Sequence, residues 1–600
     1  MGRSFPGAEG SERRLRDFAV MDRLTLSTRA ACVLLTLLLL APSPGFASEP
    51  PSYDAALDAI AAYAPRAMRE QGTPGLSLAI TDSTRTLRVI TLGYADTGAQ
   101  TPVTSQTRFA IGSITKSMTA LALLQLADAG RIDLQAPVTK YLPWFSIHSN
   151  GVPVLVHQLL SHTGGIPDDY SFSPGYVDNI FALRTARTLY APGTAWSYSN
   201  DGYETVGAIL AQLDGRTWPE AVRSRVFDSI GMTDSSPVFT PDALSTAALG
   251  YQFRDNDRPP SLHPPLAPSP AFDFVDPAGS VLSTPEDMAR YMRFYLDGGR
   301  SSNGKQLLLP ATFAAMTAAD RFKNGEAAGS SSVELSEAPA FYKQYGYGLS
   351  VFDEGGDRVV GHTGGISGYT ACMQMNLTRG FGVIAFANLV EAPLHPCAIV
   401  LYAMRALRAA AAGEPIPAAP APPPDPARVE RAAGYAGTYT GASGSSLLVT
   451  ADGDRLSLME AGKTIALYPR GSDTFWADDP KYATFLLAFG RDGNRKVTNL
   501  TYGAQWWANE RYQGPKAFAH PPTWDALVGR YENTFFGEPE ITRVVIVKDR
   551  LTLDGVDPLK PLPDGAFALG TSVIRFNDFA GSRPQRLTFD TADLYRVELP

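Results

Sequence analysis

The segment 412–426 contains Gly413-Glu-Pro-Ile-Pro-Ala-Ala-Pro-Ala-Pro-Pro-Pro-Asp-Pro426, and no regular helix or inner strand can run through it. Each proline fixes its φ and lacks the N–H that helices and central strands need. The segment therefore reads as a semi-rigid linker, and the chain must fold as separate bodies on either side of it. A length of 600 residues agrees, because single cores rarely serve more than about 250–300 residues.

The two sides carry different patterns. Before the linker, residues 52–71 have the period of an amphipathic helix, while Gly75-Leu-Ser-Leu-Ala-Ile80 and Leu87-Arg-Val-Ile-Thr-Leu92 read as strands flanking a turn. Helical patterns dominate 113–230. Residues 370–389 return to two strands joined at Thr378-Arg-Gly, and a helix is expected at about 396–411. Strands distant in sequence can share one antiparallel sheet with a helical insertion between them, which predicts an α+β unit over 50–411. After the linker, short alternating strands take over and a repeat emerges. Ala436-Gly-Thr-Tyr439 recurs as Val528-Gly-Arg-Tyr531, 92 positions later. Asp454-Arg-Leu-Ser-Leu458 recurs as Asp549-Arg-Leu-Thr-Leu553, and Leu467-Tyr-Pro469 with Phe475 recurs as Leu559-Lys-Pro561 with Phe567. Ordered matches predict two all-β, barrel-like domains, 427–517 and 522–600, with one larger lipocalin-like barrel as the alternative.

Composition narrows the function. The 52 basic and 60 acidic residues give a formal charge of −8, without the basic excess of a nucleic-acid binder. Within 1–47, Met21-Asp-Arg-Leu-Thr-Leu-Ser-Thr-Arg29 precedes the apolar run Ala30–Ala41 and the small-residue end Pro42-Ser-Pro-Gly-Phe-Ala47. This is the layout of a secretory signal, with cleavage expected after Ala47 and Met21 as an alternative start; an uncleaved anchor is the rival reading. A periplasmic or secreted protein with no integral membrane segment after cleavage is expected, since no other run reaches the ~18 apolar residues of a membrane helix. Export permits a disulfide between the remaining Cys372 and Cys397, although sequence does not decide whether it forms. The absence of HExxH and of any Cys/His cluster argues against a zinc enzyme.

The chemistry sits in Phe109-Ala-Ile-Gly-Ser113-Ile-Thr-Lys116, which opens an apolar helical run. Residues at i and i+3 share a helix face, so Lys116 can reach the Ser113 hydroxyl as its base. Placing Ser113 in the first helical turn also gives a developing oxyanion free N–H groups and the positive end of the helix dipole. Ser-x-x-Lys alone is weak, since Ser302-Asn-Gly-Lys305 also fits but lies in a Gly/Ser-rich loop. Tyr-x-Asn likewise occurs at Tyr198-Ser-Asn200 and, within the repeat, at Tyr531-Glu-Asn533. His-Thr-Gly-Gly begins at both His162 and His362, and the first reads as a structural helix end. Only Ser113, Tyr198-Ser-Asn200 and His362-Thr-Gly-Gly365 fall in order within the α+β unit. No G-x-S-x-G is present, which removes the α/β-hydrolase elbow.

In this order, and with Leu159-Leu-Ser-His-Thr-Gly-Gly-Ile-Pro167, Tyr198-Ser-Asn-Asp-Gly-Tyr203 and Pro277-Ala-Gly-Ser-Val-Leu-Ser283, the chain resembles the serine β-lactamase and penicillin-binding-protein superfamily over 50–411. Tyr-x-Asn points to its branch of class C β-lactamases, D-Ala-D-Ala carboxypeptidases, D-aminopeptidases and esterases, peptidase family S12. The resemblance implies that Ser113 is the nucleophile, Lys116 its base and Tyr198 the proton relay. It implies that Asn200 binds the substrate amide and holds Lys116, with Ser113 and Gly365 N–H groups as the oxyanion hole. Thr363 and Gly364 complete the substrate-binding strand, the glycines letting its edge come close to substrate. No cofactor is implied. His362 departs from the lysine of K-T-G, and a largely neutral imidazole weakens recognition of a substrate carboxylate. The expected activity is hydrolysis of amide or peptide bonds, most specifically of D-amino-acid-containing peptides. The alternatives are an esterase, a D-Ala-D-Ala carboxypeptidase or β-lactamase, and a non-catalytic binder of cell-wall peptide. Loops 165–190 and 320–345, which would shape the pocket, carry no readable motif.

Overall fold

A computed structural model describes residues 52–168, 175–255, 258–270, 276–322, 326–329, 343–390, 396–535, 538–570, 572–590 and 592–598. The signal-like segment 1–47 lies outside them. Helix α1 (Asp54–Glu70) buries Ala56, Leu57, Ile60, Tyr63, Ala64 and Ala67, a stripe at helical spacing. Seven strands follow in the sheet: β1 (Gly75–Asp82), β2 (Thr86–Asp96), β3 (Thr101–Pro102), β4 (Ser350–Glu354), β5 (Asp357–Ile366), β6 (Tyr369–Asn376) and β7 (Phe381–Ala387). Their order is β3-β2-β1-β7-β6-β5-β4, and every pairing is antiparallel. The first and last parts of the unit meet where β1 pairs with β7, Ala79 facing Ile384.

The period-two alternation of these strands sorts their side chains into two layers. In β7, Phe381, Val383 and Ala385 join α1 and the closing helix Cys397–Ala412, whereas Ile384 and Phe386 join the core beneath the helical insertion. That insertion contributes α2 (Thr115–Asp128), α3 (Asn200–Asp214) and α4 (Pro285–Leu296); α5 spans Cys397–Ala412. Helix α2 is buried almost all round, including Lys116, so it forms the middle of the unit and not a surface. Cys372 of β6 and Cys397 at the start of α5 are joined in a disulfide.

Past the proline segment, eight antiparallel strands between Gly437 and Ala508 close into a barrel. A nine-stranded antiparallel sheet follows between Gly529 and Val597, with its own core of Tyr531, Val544, Leu551, Ile574 and Leu587. The sequence repeat survives as repeated hydrogen bonding. Tyr439 donates to Tyr435 O (2.6 Å) and Tyr531 donates to Leu527 O (2.8 Å). Arg511 donates to the carbonyls of Gly434 and Ala436, and Arg596 to those of Ala526 and Val528. Tyr531, from the decoy Tyr-x-Asn, is therefore consumed in folding. The decoy pair Ser302 and Lys305 lies exposed in a turn.

Among the described residues, a buried ion pair joins the last β body to the α+β unit. Arg530 is 1% exposed and donates to Asp255 Oδ1 (2.9 Å) and to Ala483 O (3.4 Å), so one side chain touches all three bodies.

Candidate active site

The sequence predicts Ser113 in the first turn of an α-helix. The structure places it one step earlier, in a 3₁₀ turn Gly112–Ile114 that leads into α2 at Thr115. The reason is local. Gly112 has φ +50°, and a Cβ there would lie 2.6 Å from Gly365 N, so the turn is pressed against strand β5. The i, i+3 relation to Lys116 is retained. Its Nζ donates to Ser113 Oγ (3.0 Å), Asn200 Oδ1 (2.6 Å) and Ala278 O (2.9 Å). Lys116 has no exposed surface, and burial lowers its pKa to about 7 against the opposing pull of Asp168 and Glu204. In the uncharged amine two N–H groups serve Asn200 and Ala278, and the lone pair faces Ser113 Oγ.

Tyr198 and Asn200 enter through the start of α3. Ser199 caps this helix, its Oγ accepting from Gly202 N (2.9 Å), which fixes the residues on either side. Lys116 Nζ lies 4.7 Å from the centre of the Tyr198 ring. Asn200 is held from behind by Asp168: its backbone N donates to Oδ1 (2.8 Å) and its Nδ2 to Oδ2 (3.1 Å). His162, at φ +59°, accepts from Ser199 N through Nδ1 (3.1 Å) and places its ring 4.4 Å from that of Tyr198. Burial keeps its pKa well below the usual histidine value.

His362 lies on β5, fully buried. Its Nδ1 donates to Thr363 O, which leaves Nε2 to accept from Tyr345 Oη at 2.8 Å. Burial and the nearby Lys116 push its pKa down to about 3, so it is an uncharged imidazole with both nitrogens engaged. Thr363 and Gly365 alternate with it and reach the accessible side of the strand. The two glycines differ. A Cβ on Gly364 would lie 1.9 Å from Ile111 O, whereas one on Gly365 meets nothing within 4 Å. Only Gly364 is required by close approach, and what it approaches is the nucleophile's own turn and not substrate, as the sequence had suggested. The structure thus brings together Ser113, Lys116, Tyr198, Asn200, His362, Thr363, Gly364 and Gly365. Sequence reasoning missed Asp168 and Tyr345, which come from the two loops without a motif. Among the described residues, no group of three or more His, Cys, Asp or Glu side chains is arranged to hold a metal ion.

The family model described as Beta-lactamase matches residues 60–399, more than half of the sequence. The chain belongs to the beta-lactamase family. Among family relatives, Penicillin-binding protein 4 of Amycolatopsis lactamdurans is 29% identical over 328 residues, which are 53% of this chain and 80% of that protein. Protein flp of Staphylococcus aureus (strain N315) is 23% identical over 326 residues, covering 53% of this chain and 60% of its own length. The solved structure of the octameric penicillin-binding protein homologue from Pyrococcus abyssi shares the fold, with a TM-score of 0.51 at 24% identity over 75% of this chain and 99% of that one. Family membership and the assembled serine and lysine make this a serine hydrolase-type enzyme of beta-lactamase fold.

Proposed function

We propose that this protein is an exported hydrolase that cleaves amide bonds, most specifically in D-amino-acid-containing peptides, through an acyl-Ser113 intermediate. The observation that carries the reading is the 3.0 Å contact between Ser113 Oγ and the Nζ of a lysine whose pKa has fallen to about 7. A lysine that is half uncharged near neutral pH is a usable general base, and an ordinary one is not. Ser113 Oγ attacks the carbonyl carbon while Lys116 takes its proton. The carbonyl oxygen becomes an oxyanion facing the backbone N–H groups of Ser113 and Gly365. Tyr198, beside the lysine, passes the proton to the departing amine and later receives one from the water that releases the acyl group. Asn200 Nδ2 is directed to Asp168 and its Oδ1 to Lys116, so Asn200 orders the base in the free enzyme.

The neutral, fully engaged His362 supplies no cation for a substrate carboxylate, which favours substrates recognised through the amide and amine over those recognised by a free C-terminus. The Cys372–Cys397 disulfide supports export into an oxidising compartment. Turnover of D-alanyl and L-alanyl p-nitroanilides should be compared with that of short p-nitrophenyl esters. Faster cleavage of the D-anilide is expected, and activity on esters alone would defeat the peptidase reading.

A further inference from the structure

Asn200 presents Lys116 with an amide that could face either way. With Oδ1 forward it accepts an N–H from Nζ; with Nδ2 forward it sets donor against donor. The contact with Lys116 favours the first orientation but holds the amide at a single point. Ala278, which shares Nζ with it, offers a backbone carbonyl that has no such freedom.

Asp168 supplies the missing constraint. Its carboxylate has two acceptor oxygens and no donor, and both are directed at Asn200: Oδ1 receives the backbone N–H at 2.8 Å and Oδ2 receives Nδ2 at 3.1 Å. The first contact also satisfies an N–H at the start of α3 that has no partner within the helix. Because Nδ2 is turned toward Asp168, Oδ1 is turned toward Lys116, at 2.6 Å. With two of its N–H groups placed by Asn200 and Ala278, the uncharged lysine directs its lone pair at Ser113 Oγ.

We infer that Asp168 is a positioning residue of this site: by a two-point grip it fixes the amide orientation of Asn200 and, through it, the aim of Lys116 at Ser113. This rests on the covalent serine reading above. It adds a residue that no motif marks, acting on the aim of Lys116 through Asn200. An isosteric Asp168→Asn exchange replaces two acceptors by one acceptor and one donor. One N–H of Asn200 then loses its partner, and the amide is free to flip.

The test uses the full chain and the rate at which a fluorophosphonate labels Ser113, followed by intact mass over a range of probe concentrations. Loss of a charge-assisted hydrogen bond corresponds to about 10- to 100-fold, so Asp168→Asn is expected to lower the maximal labelling rate by that factor. The half-saturating probe concentration is expected to stay within about threefold, because the oxyanion donors are untouched. With labelling at about pH 9, where Lys116 is uncharged whether or not Asp168 raises its pKa, the same exchange in an Asn200→Ala background is expected to cost less than about threefold, because the hydrogen-bonded route to Lys116 is gone. Asp168→Glu, which keeps two acceptor oxygens, is expected to label at least about fivefold faster than Asp168→Asn. A wild-type rate in Asp168→Asn, an equal cost in both backgrounds, or equal rates for the Glu and Asn variants would each overturn the role assigned to Asp168 while leaving the hydrolase reading standing. A wild-type protein that takes no label overturns both.

Discussion

The depressed pKa of Lys116 fixes the pH dependence of acylation. Only the uncharged amine can accept the Ser113 proton. With a pKa of about 7, activity is present above neutrality and lost as pH falls. About nine-tenths of the lysine is uncharged at pH 8, about one-tenth at pH 6 and about one-hundredth at pH 5. A lysine at the ordinary value of 10.5 would instead be only about three parts in a thousand uncharged at pH 8, and its rate would climb about tenfold per pH unit up to pH 10. The two cases differ by about 300-fold in usable base at pH 8. His362 adds no limb in this range, since its own pKa has been pushed to about 3. The assay is kcat/KM on a neutral p-nitroanilide from pH 5 to 10, paired with the rate of fluorophosphonate labelling. We expect unit slope below pH 7 and a plateau above pH 8 in both. A rate still rising tenfold between pH 8 and 9 would refute the argument that burial has made Lys116 the base, as would an acid limb that vanishes in His362→Gln.

Gly364→Ala is expected to cost at least about 100-fold in kcat/KM, because its Cβ would lie 1.9 Å from Ile111 O and push β5 off the nucleophile's turn. Gly365→Ala, whose Cβ meets open space, is expected to keep its melting temperature within about 3 °C of wild type, and calorimetry of the pair checks the contrast. Replacing both Cys372 and Cys397 by Ala opens a link across 25 residues and should lower stability by about 3 kcal/mol in urea unfolding. Arg530→Ala leaves Asp255 buried with Arg258 as its remaining partner, and should cost about 3 kcal/mol and expose the seam to limited proteolysis; a change under about 0.5 kcal/mol would contradict a joint at Arg530.

Much of this architecture was legible because it rests on short-range periodicities. The stripe of α1, the short apolar run of β7 and the proline segment each state their conformation within a dozen residues. The repeat was legible for a related reason: Tyr439 and Tyr531 perform the same hydrogen bond to a carbonyl four residues earlier, so the same residues recur. The site was legible where residue types are demanding, at Ser113, Lys116, Tyr198 and His362. Asp168 and Tyr345 were not, because a carboxylate or a hydroxyl that orients another side chain does so through space. Asp168 is 32 positions from Asn200 and Tyr345 is 17 from His362, and neither pair has a helical or strand period to betray it. The pairing of Arg530 with Asp255, 275 positions apart, is hidden for the same reason. The 3₁₀ turn at Ser113 was also missed, since only the approach of Gly365 shows why the helix must start late.

The central claim is that Ser113, and no other hydroxyl, forms a covalent acyl-enzyme. Incubation of the full chain with a fluorophosphonate, followed by intact mass and peptide mapping, tests it most directly. The account predicts one adduct per chain, located on the peptide that contains Ser113 and absent from Ser113→Ala. An adduct that persists in Ser113→Ala, or one that maps to another serine such as Ser302, would contradict it.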